Sequence, residues 1–287
     1  MKCPICEGNK FKKLFFIQEV SRPDGKAYPL FKCKNCGLIR PEPQPYNESK
    51  KFGIYNKKEN IRFFNAKTNE VEYDSKEYKH YFKHFKPHLE IISKYTKKGG
   101  KILDIGCGPG HLLGLLSKKG YDVEGMDITK ELVKALNKKY KVYFCEVGSK
   151  KMKGKKYDFL VLSHVIEHVS NPKTFVGNLN RLLNKGGRIL VATPFLGGLI
   201  PKILRTKWYG LGYGQHLNFF SKKNLKMLFE EKGFAVEEFK ILGVDYTHPK
   251  FPRILNLIAS GISKIIVSLG LGDNLFMVAK KIKEVKK

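Results

Sequence analysis

The chain has 287 residues, of which 42% are hydrophobic, so it is long and apolar enough to bury a sizeable core in one or two domains. Lysine and arginine number 55 against 26 aspartate and glutamate, giving a formal net charge of +29. This excess favours an anionic partner such as nucleic acid, a phosphate-bearing substrate or a membrane surface, although dispersed lysines also fit an ordinary solvated surface. With no signal peptide and no apolar run of about 20 residues, we expect a cytoplasmic protein with reduced cysteines.

Four of the six cysteines form two Cys-x-x-Cys pairs, Cys3 with Cys6 and Cys33 with Cys36. Each pair places two sulfurs on one side of a tight turn, and four thiolates make the tetrahedral set that Zn²⁺ prefers. A redox dithiol and plain buried thiols are the alternatives. The pattern favours a structural Zn²⁺ in a zinc ribbon over residues 1–40, because no coordination position stays open and so small a unit needs the metal for stability.

Residues 41–98 are predicted to be a linker and helical connector. The linker begins with the proline-rich stretch PEPQP, and helical spacing follows around residues 72–95. His80, His84 and His88 lie four residues apart in this segment, which would suit a metal site on a helix. Because Pro87 interrupts that helix, we interpret them as surface histidines.

Residues 99–287 alternate short apolar runs with amphipathic stretches, which predicts an α/β fold with a mainly parallel sheet. Strands are predicted at 101–105, 121–126, 141–145, 157–162, 187–193, 235–242 and 274–281, and helices at 110–119, 129–139, 172–184 and 221–233. A helical insertion at about 250–272 interrupts this order.

The stretch ILDIGCGPGH places Asp104 just before Gly106, Gly108 and Gly110, at a transition from strand to helix. Ligands of open α/β sheets bind at such transitions. The G-x-G-x-G spacing differs from the G-x-G-x-x-G of dinucleotide sites, and an acid here would repel a pyrophosphate but attract an ammonium and a sulfonium. Asp127 closes the next strand, where a ribose-binding carboxylate belongs. Together these features favour S-adenosylmethionine over a dinucleotide.

Four stretches resemble motifs of the class I S-adenosylmethionine-dependent methyltransferases, namely LDIGCGPGHLL, GMDIT, YDFLVLSHVIEHV and LLNKGGRILVATP. The preceding CPIC and CKNCGLIRPEP are similar to the N-terminal zinc knuckles of one group in that family. The resemblance covers roughly residues 85–282 and implies a Rossmann-like, seven-stranded mixed sheet whose last strand is antiparallel. It implies that Asp104 and the three glycines cradle the methionine part of the cofactor and that Asp127 binds the ribose.

Four further residues are expected to contact the cofactor, namely Cys107, Ile128, Glu146 and Ser163. Cys145 and Glu146 stand where the family often has Gly-Asp near the adenine, so this chain departs from the family pattern there.

The segment SHVIEHV follows the fourth strand on the side expected to face the cofactor. His164, Glu167 and His168 share one face if the segment is helical, and GQHLNFF adds His216. His164 is the first candidate for a general base and His168 the second. Two alternatives stay open. The four residues bind a metal, as in some relatives that act on RNA ends or catechol-like rings, or Glu167 and His168 only cap the helix and brace it against the sheet.

Residues 253–272 form an apolar stretch with one narrow polar stripe at helical spacing: Asn256, Ser260, Ser263, Lys264 and Ser268. A helix packed on the domain is the simpler interpretation, and a helix lying in a membrane interface is the other.

The expected reaction is O- or C-methylation of a small-molecule, lipid-linked or glycan-linked acceptor. Alternatives are RNA methylation, with the ribbon and basic surface binding RNA, and a non-catalytic module that only binds the cofactor.

Overall fold

The structure is a computed structural model that describes residues 1–18, 27–44, 64–65, 70–71, 83–243 and 253–285. Its N-terminal strands are β1 (Phe11–Gln18), β2 (Ala27–Cys33), β3 (Ile39–Pro41), β4 (Phe64–Asn65) and β5 (Glu70–Val71). Strands β1, β2 and β3 form a small antiparallel sheet, and β4 pairs with β5. The segment predicted as a linker therefore begins within a strand, because Pro41 is the last residue of β3.

A second sheet forms the body of the protein. Its elements, in chain order, are α1 (Lys86–Tyr95), β6 (Lys101–Ile105), α2 (His111–Lys118), β7 (Asp122–Asp127), α3 (Lys130–Leu136), β8 (Lys141–Phe144), β9 (Tyr157–Ser163), α4 (Pro172–Leu182), β10 (Leu183–Pro194), α5 (Leu199–Leu204), α6 (Lys222–Glu231), β11 (Phe234–Leu242), α7 (Arg253–Ser268) and β12 (Asn274–Lys281). The strand bounds lie within a few residues of the predicted ones, the largest difference being the earlier start of β10. Helix α5 was not predicted, and residues 72–82 of the predicted helical stretch before α1 lie outside the described residues.

Strand order in this sheet is β11-β12-β10-β9-β6-β7-β8. Strands β6 to β10 run parallel, whereas β12 is antiparallel to both of its neighbours, β10 and β11. The prediction of a seven-stranded, Rossmann-like mixed sheet with an antiparallel last strand is therefore confirmed. Since β11 is parallel to β10, the carboxyl ends of all strands except β12 lie along one edge, which we call the carboxyl edge.

The central strands are continuous apolar runs because helices cover both faces of the sheet. On one face, α1 and α2 pack Ile92 and Leu116 against Ile102 of β6. On the other face, α4 and α6 pack leucines and Phe229 against Leu103 of β6 and Leu160 of β9. The covered sheet fixes the carboxyl edge as a rigid platform.

The small antiparallel sheet is docked on this body through shared core contacts. Leu38 belongs to the same buried cluster as Phe220 and Leu225. The backbone of Ile39 forms an isolated bridge with Phe219, with hydrogen bonds of 3.2 and 2.8 Å. Among the described helices, none is long and apolar enough to cross a membrane.

Candidate cofactor and acceptor site

The loop between β6 and α2 needs glycine at its first and third glycine positions for protein packing. Gly106 has φ +69°, and a Cβ there would lie 2.6 Å from Cγ2 of Val165. Gly110 has φ +77°, and a Cβ there would lie 2.6 Å from Cδ2 of Leu136. Gly108 differs, because at φ +51° its Cβ would meet no described atom within 4 Å. The middle of the loop therefore faces open space, and a ligand can approach its backbone closely.

Asp104, at the carboxyl edge of β6, is 3% exposed. Burial, followed by the charge of Asp127, raises the pKa of its carboxyl to about 8. No cation among the described residues acts to lower that pKa. A buried acid with this environment is suited to a cationic ligand group, which fits the ammonium of S-adenosylmethionine.

Asp127 ends β7 and ties the glycine loop to the neighbouring strand. Its Oδ2 accepts a hydrogen bond from the backbone N–H of Gly108 at 2.9 Å, and its Oδ1 accepts one from Thr129 at 2.8 Å. Two backbone donors fix the carboxylate in position while each oxygen keeps a lone pair. The arrangement suits the hydroxyls of a ribose, and the apolar side chain of Ile128, the next residue, is exposed.

The other expected cofactor residues, Cys107, Glu146 and Ser163, differ in burial and in their partners. The side chain of Cys107 packs in a core cluster with Leu113 and Val142, so it offers the site only its backbone. Glu146 is exposed, just beyond the end of β8. Ser163, the last residue of β9, shares a hydrogen bond of 3.0 Å between its Oγ and Nε2 of His88.

Beyond β9 the chain makes a tight turn that brings His164 against Glu167. His164 has φ +56°, a left-handed conformation that is uncommon for a residue with a side chain. Its Nδ1 lies 3.3 Å from Oε1 of Glu167, and its side chain is about half exposed. Val165, the next residue, contacts the Gly106 position, so His164 adjoins the glycine loop.

Glu167 is fully buried in a 3₁₀ turn, Ile166–His168, rather than in the helix that the sequence suggested. Burial opposes its ionisation, but the contact with His164 and the nearby His168 and His216 outweigh this and lower its pKa to about 2. Its Oε2 accepts a hydrogen bond from Oγ1 of Thr193 at 3.0 Å. Its Oε1 faces Nδ1 of His164 at 3.3 Å but accepts no well-aligned hydrogen bond from the described residues.

His168 and His216 meet with their ring centroids 4.7 Å apart. In each ring Nδ1 lies within hydrogen-bonding distance of a backbone carbonyl, that of Gln215 at 3.0 Å and that of Gly210 at 2.9 Å. A carbonyl only accepts, so Nδ1 carries the hydrogen in both rings and Nε2 is the basic nitrogen in a neutral ring. Burial and then the charge of His168 lower the pKa of His216 to about 4. Ligand atoms of Glu167, His168 and His216 all lie within 4.8 Å of one another.

Two side chains near this site, those of His88 and Thr193, were not predicted to belong to it. His88 is buried, so its interpretation as a surface histidine was wrong; it packs edge-on against Phe276 and reaches Ser163. Burial, followed by the charge of His164, lowers its pKa to about 3. His84 is partly buried, and His80 lies outside the described residues. Thr193, near the end of β10, was missed although its position beside the fourth strand could have indicated it.

The four cysteines of the small sheet come together as predicted. Sγ of Cys3 lies 3.5 Å from that of Cys36, and Sγ of Cys6 lies 3.5 Å from that of Cys33. All four sulfurs lie within 4.8 Å of one another. The hydrogen bond from Cys36 is the main cause of a lowered pKa of Cys3, about 5. All four are free thiols, so none is held in a disulfide.

A mixed seven-stranded sheet of this order, with an acid, a glycine loop and a second acid on its carboxyl edge, defines the class I S-adenosylmethionine-dependent methyltransferase fold. A family model described as a methyltransferase domain matches residues 77–238, more than half of the chain. The chain belongs to that family and is an S-adenosylmethionine-dependent methyltransferase.

Individual relatives are more distant. The chain is 27% identical over 152 residues to the uncharacterized protein MJ1123 of Methanocaldococcus jannaschii, covering 52% of this chain and 71% of that protein. It is 30% identical over 112 residues to the ubiquinone biosynthesis O-methyltransferase of Coxiella burnetii, covering 36% of this chain and 47% of that enzyme. The chain thus spans about half the length of that enzyme.

Among solved structures, a SAM-dependent methyltransferase from Archaeoglobus fulgidus superimposes with a TM-score of 0.52 at 21% identity. The match covers 70% of this chain and 94% of that one. At this identity the likeness concerns the fold.

Proposed function

We propose that the protein transfers a methyl group from S-adenosylmethionine to an oxygen or carbon nucleophile of a small-molecule, lipid-linked or glycan-linked acceptor. The observation that carries the proposal is the pairing of half-exposed His164 with buried Glu167 beside the glycine loop. The partial similarity to ubiquinone biosynthesis O-methyltransferases supports an acceptor of this class.

His164 would act as the general base for an acceptor hydroxyl. Because Nδ1 faces the carboxylate of Glu167 at 3.3 Å, the contact favours the tautomer that has its lone pair on Nε2. As the acceptor oxygen bonds to the methyl carbon and the carbon–sulfur bond breaks, the hydroxyl proton passes to Nε2. The cofactor supplies the electrophilic methyl, and the protein supplies alignment and the exclusion of water. The left-handed backbone conformation of His164 costs about 1–3 kcal/mol, and such strained conformations cluster at functional sites.

A metal ion held by Glu167, His168 and His216 is the second arrangement that a specific observation favours. The two rings offer Nε2 because their Nδ1 atoms hydrogen-bond to carbonyls, an orientation common among metal-bound histidines. Oε1 of buried Glu167, which accepts no well-aligned hydrogen bond within the described residues, would complete a three-ligand set. A divalent ion there would lower the pKa of an acceptor hydroxyl. Loss of activity in chelator, restored by one divalent ion but not by buffer exchange, would support this arrangement over His164 alone.

We further propose that Cys3, Cys6, Cys33 and Cys36 hold a structural Zn²⁺. A zinc–sulfur bond of about 2.3 Å places tetrahedral ligands about 3.8 Å apart, close to the two 3.5 Å separations. Four sulfurs close the coordination shell, so this ion would stabilise the small sheet and take no part in the chemistry.

RNA methylation is the alternative function, and one cavity supports it. The cavity measures about 480 Å³ and lies beside Cys33 and Cys36, where four lysines line it: Lys12, Lys32, Lys34 and Lys223. Clustered lysines are suited to phosphates, although they carry no base specificity. Filter binding of RNA whose affinity falls steeply with salt would favour this alternative.

The test of the proposed function is transfer of a labelled methyl group. Purified protein and labelled S-adenosylmethionine are added to an extract of the source cells, which is then split into lipid, small-molecule, RNA and protein fractions. Label in the lipid or small-molecule fraction is expected. Label in RNA would overturn the proposed acceptor class, and cofactor binding without label in any fraction would indicate a non-catalytic binding module.

A further inference from the structure

Helix α7 turns its apolar side outward. Six large apolar side chains on it and on the residue that follows are between 51% and 65% exposed: Ile254, Leu257, Ile258, Ile262, Ile265 and Leu269. The buried positions among its described side chains are Ser263 and Ile266. A helix that only packs on a soluble domain has the opposite arrangement, with its apolar stripe inward. The expectation of a helix packed in the ordinary way therefore does not describe α7.

This helix lies at the same edge of the sheet as the cofactor site. It connects the carboxyl end of β11 to the start of the antiparallel β12, and both of those ends lie at the carboxyl edge. Helix α5 leaves the carboxyl edge from the end of β10. The two insertions are joined, because the backbone N–H of Leu199 donates to the carbonyl of Leu271 at 2.8 Å.

The segment that contains α5 adds exposed apolar groups and basic groups. Ile203, Leu204 and Tyr209 are large exposed side chains of this segment. Exposed cations accompany them at Lys202, Arg205 and Lys207, and α7 adds Lys264. Residues 199–207 and 253–269 contain no aspartate or glutamate. We call the exposed side chains of these two segments the α5–α7 surface.

We propose that the α5–α7 surface docks the carboxyl edge of the protein onto an anionic lipid bilayer. Apolar side chains flanked by cations match the boundary between acyl chains and anionic head groups. A second copy of the chain fits less well, because a symmetric pairing would place cations against cations without an acid to offset them. In this arrangement α7 lies along the membrane surface, and none of the described helices is long and apolar enough to span the bilayer.

Docking in this way turns the acceptor site toward the lipid. The consequence for the substrate, which rests on the proposed function, is that the acceptor is a lipid or lipid-linked molecule. Such an acceptor reaches His164 from the bilayer without leaving it.

The test is co-sedimentation of the full chain with vesicles, without cofactor or acceptor. Vesicles contain phosphatidylcholine alone or with about one third phosphatidylglycerol. We expect binding to the anionic vesicles and weak binding to the neutral ones. The double variant Ile258→Ser, Ile265→Ser should lower the partition coefficient at least tenfold. The control is Met227→Ser, which replaces an exposed apolar side chain on α6 and should bind like the wild type.

Equal sedimentation of the wild type with both vesicle types, or of the double variant and the wild type, would overturn the proposal. Sedimentation velocity of the same proteins tests the competing occupant. If the wild type is a dimer and the double variant is a monomer, the α5–α7 surface binds a second copy of the chain and the proposal is wrong. Because the vesicle assay contains no cofactor, its failure is distinct from a failure to transfer methyl groups.

Discussion

Replacing Gly108 by alanine should change the affinity for S-adenosylmethionine more than a comparable glycine replacement elsewhere, while it costs a similar free energy of unfolding. The new methyl group would meet no described protein atom within 4 Å, so it creates no clash inside the molecule. The left-handed φ of +51° disfavours alanine, which lowers the free energy of unfolding by about 1–2 kcal/mol. The methyl group would, however, fill space that the account gives to the cofactor. Overpacking of this kind costs about 1–3 kcal/mol, a roughly 5- to 150-fold weaker affinity for S-adenosylmethionine.

A matched control exists at Gly154, near the amino end of β9 and so at the opposite edge of the sheet. It has φ +78° and likewise no atom within 4 Å of an added Cβ. Gly154→Ala should therefore cost similar stability and leave cofactor affinity unchanged. Denaturant unfolding measures the first quantity and titration calorimetry the second.

The two variants must diverge in cofactor affinity while agreeing in stability. If Gly108→Ala binds S-adenosylmethionine as tightly as Gly154→Ala does, the glycine loop does not contact the cofactor and the account of the cradle is wrong.

Three further outcomes test other parts of the molecule. Cys33→Ser should lower both the zinc content, measured by atomic emission, and the melting temperature; wild-type protein purified without zinc would contradict the proposed metal site. His164→Ala should lower kcat by about 10²- to 10⁴-fold with little change in cofactor affinity, and an unchanged kcat would remove His164 as the base. Burial lowers the pKa of His88 to about 3 in the folded protein. Below pH 6.5 the unfolded chain therefore binds a proton at His88 that the folded protein does not bind, and the free energy of unfolding falls as the pH falls. The stability difference between the wild type and His88→Gln should change by about 1.4 kcal/mol per pH unit between pH 4 and 6 in urea titrations, and a constant difference would refute the burial argument.

The cofactor side of the site could be predicted because its residues follow one another along the chain. Asp104 lies near the end of β6 and the glycines lie in the loop that follows, and the alternation of strands and helices is enough to place that loop at the carboxyl edge. Asp127 follows by the same logic, since it ends the next strand. Local spacing and strand direction decide these positions without knowledge of tertiary packing.

Contacts between distant segments could not be predicted in this way. His88 reaches Ser163 across 75 positions of sequence, and only the packing of α1 against the sheet brings them together. The turn at Ile166–His168 is too short for helical periodicity to indicate its geometry. For α7, the spacing of apolar residues predicts a helix, but which side is covered depends on the surface beneath it.

We propose that the carboxylate of Asp104 binds the cationic amino-acid end of S-adenosylmethionine. Titration calorimetry of the wild type and of Asp104→Asn is the measurement that tests this contact. Because the pKa of Asp104 is raised to about 8, only about 1% of the carboxyl is ionised at pH 6 and about 10% at pH 7. We expect wild-type affinity to rise about tenfold between these pH values, with proton release on binding, and Asp104→Asn to bind weakly without this pH dependence. Equal affinity of the two proteins at both pH values would contradict it.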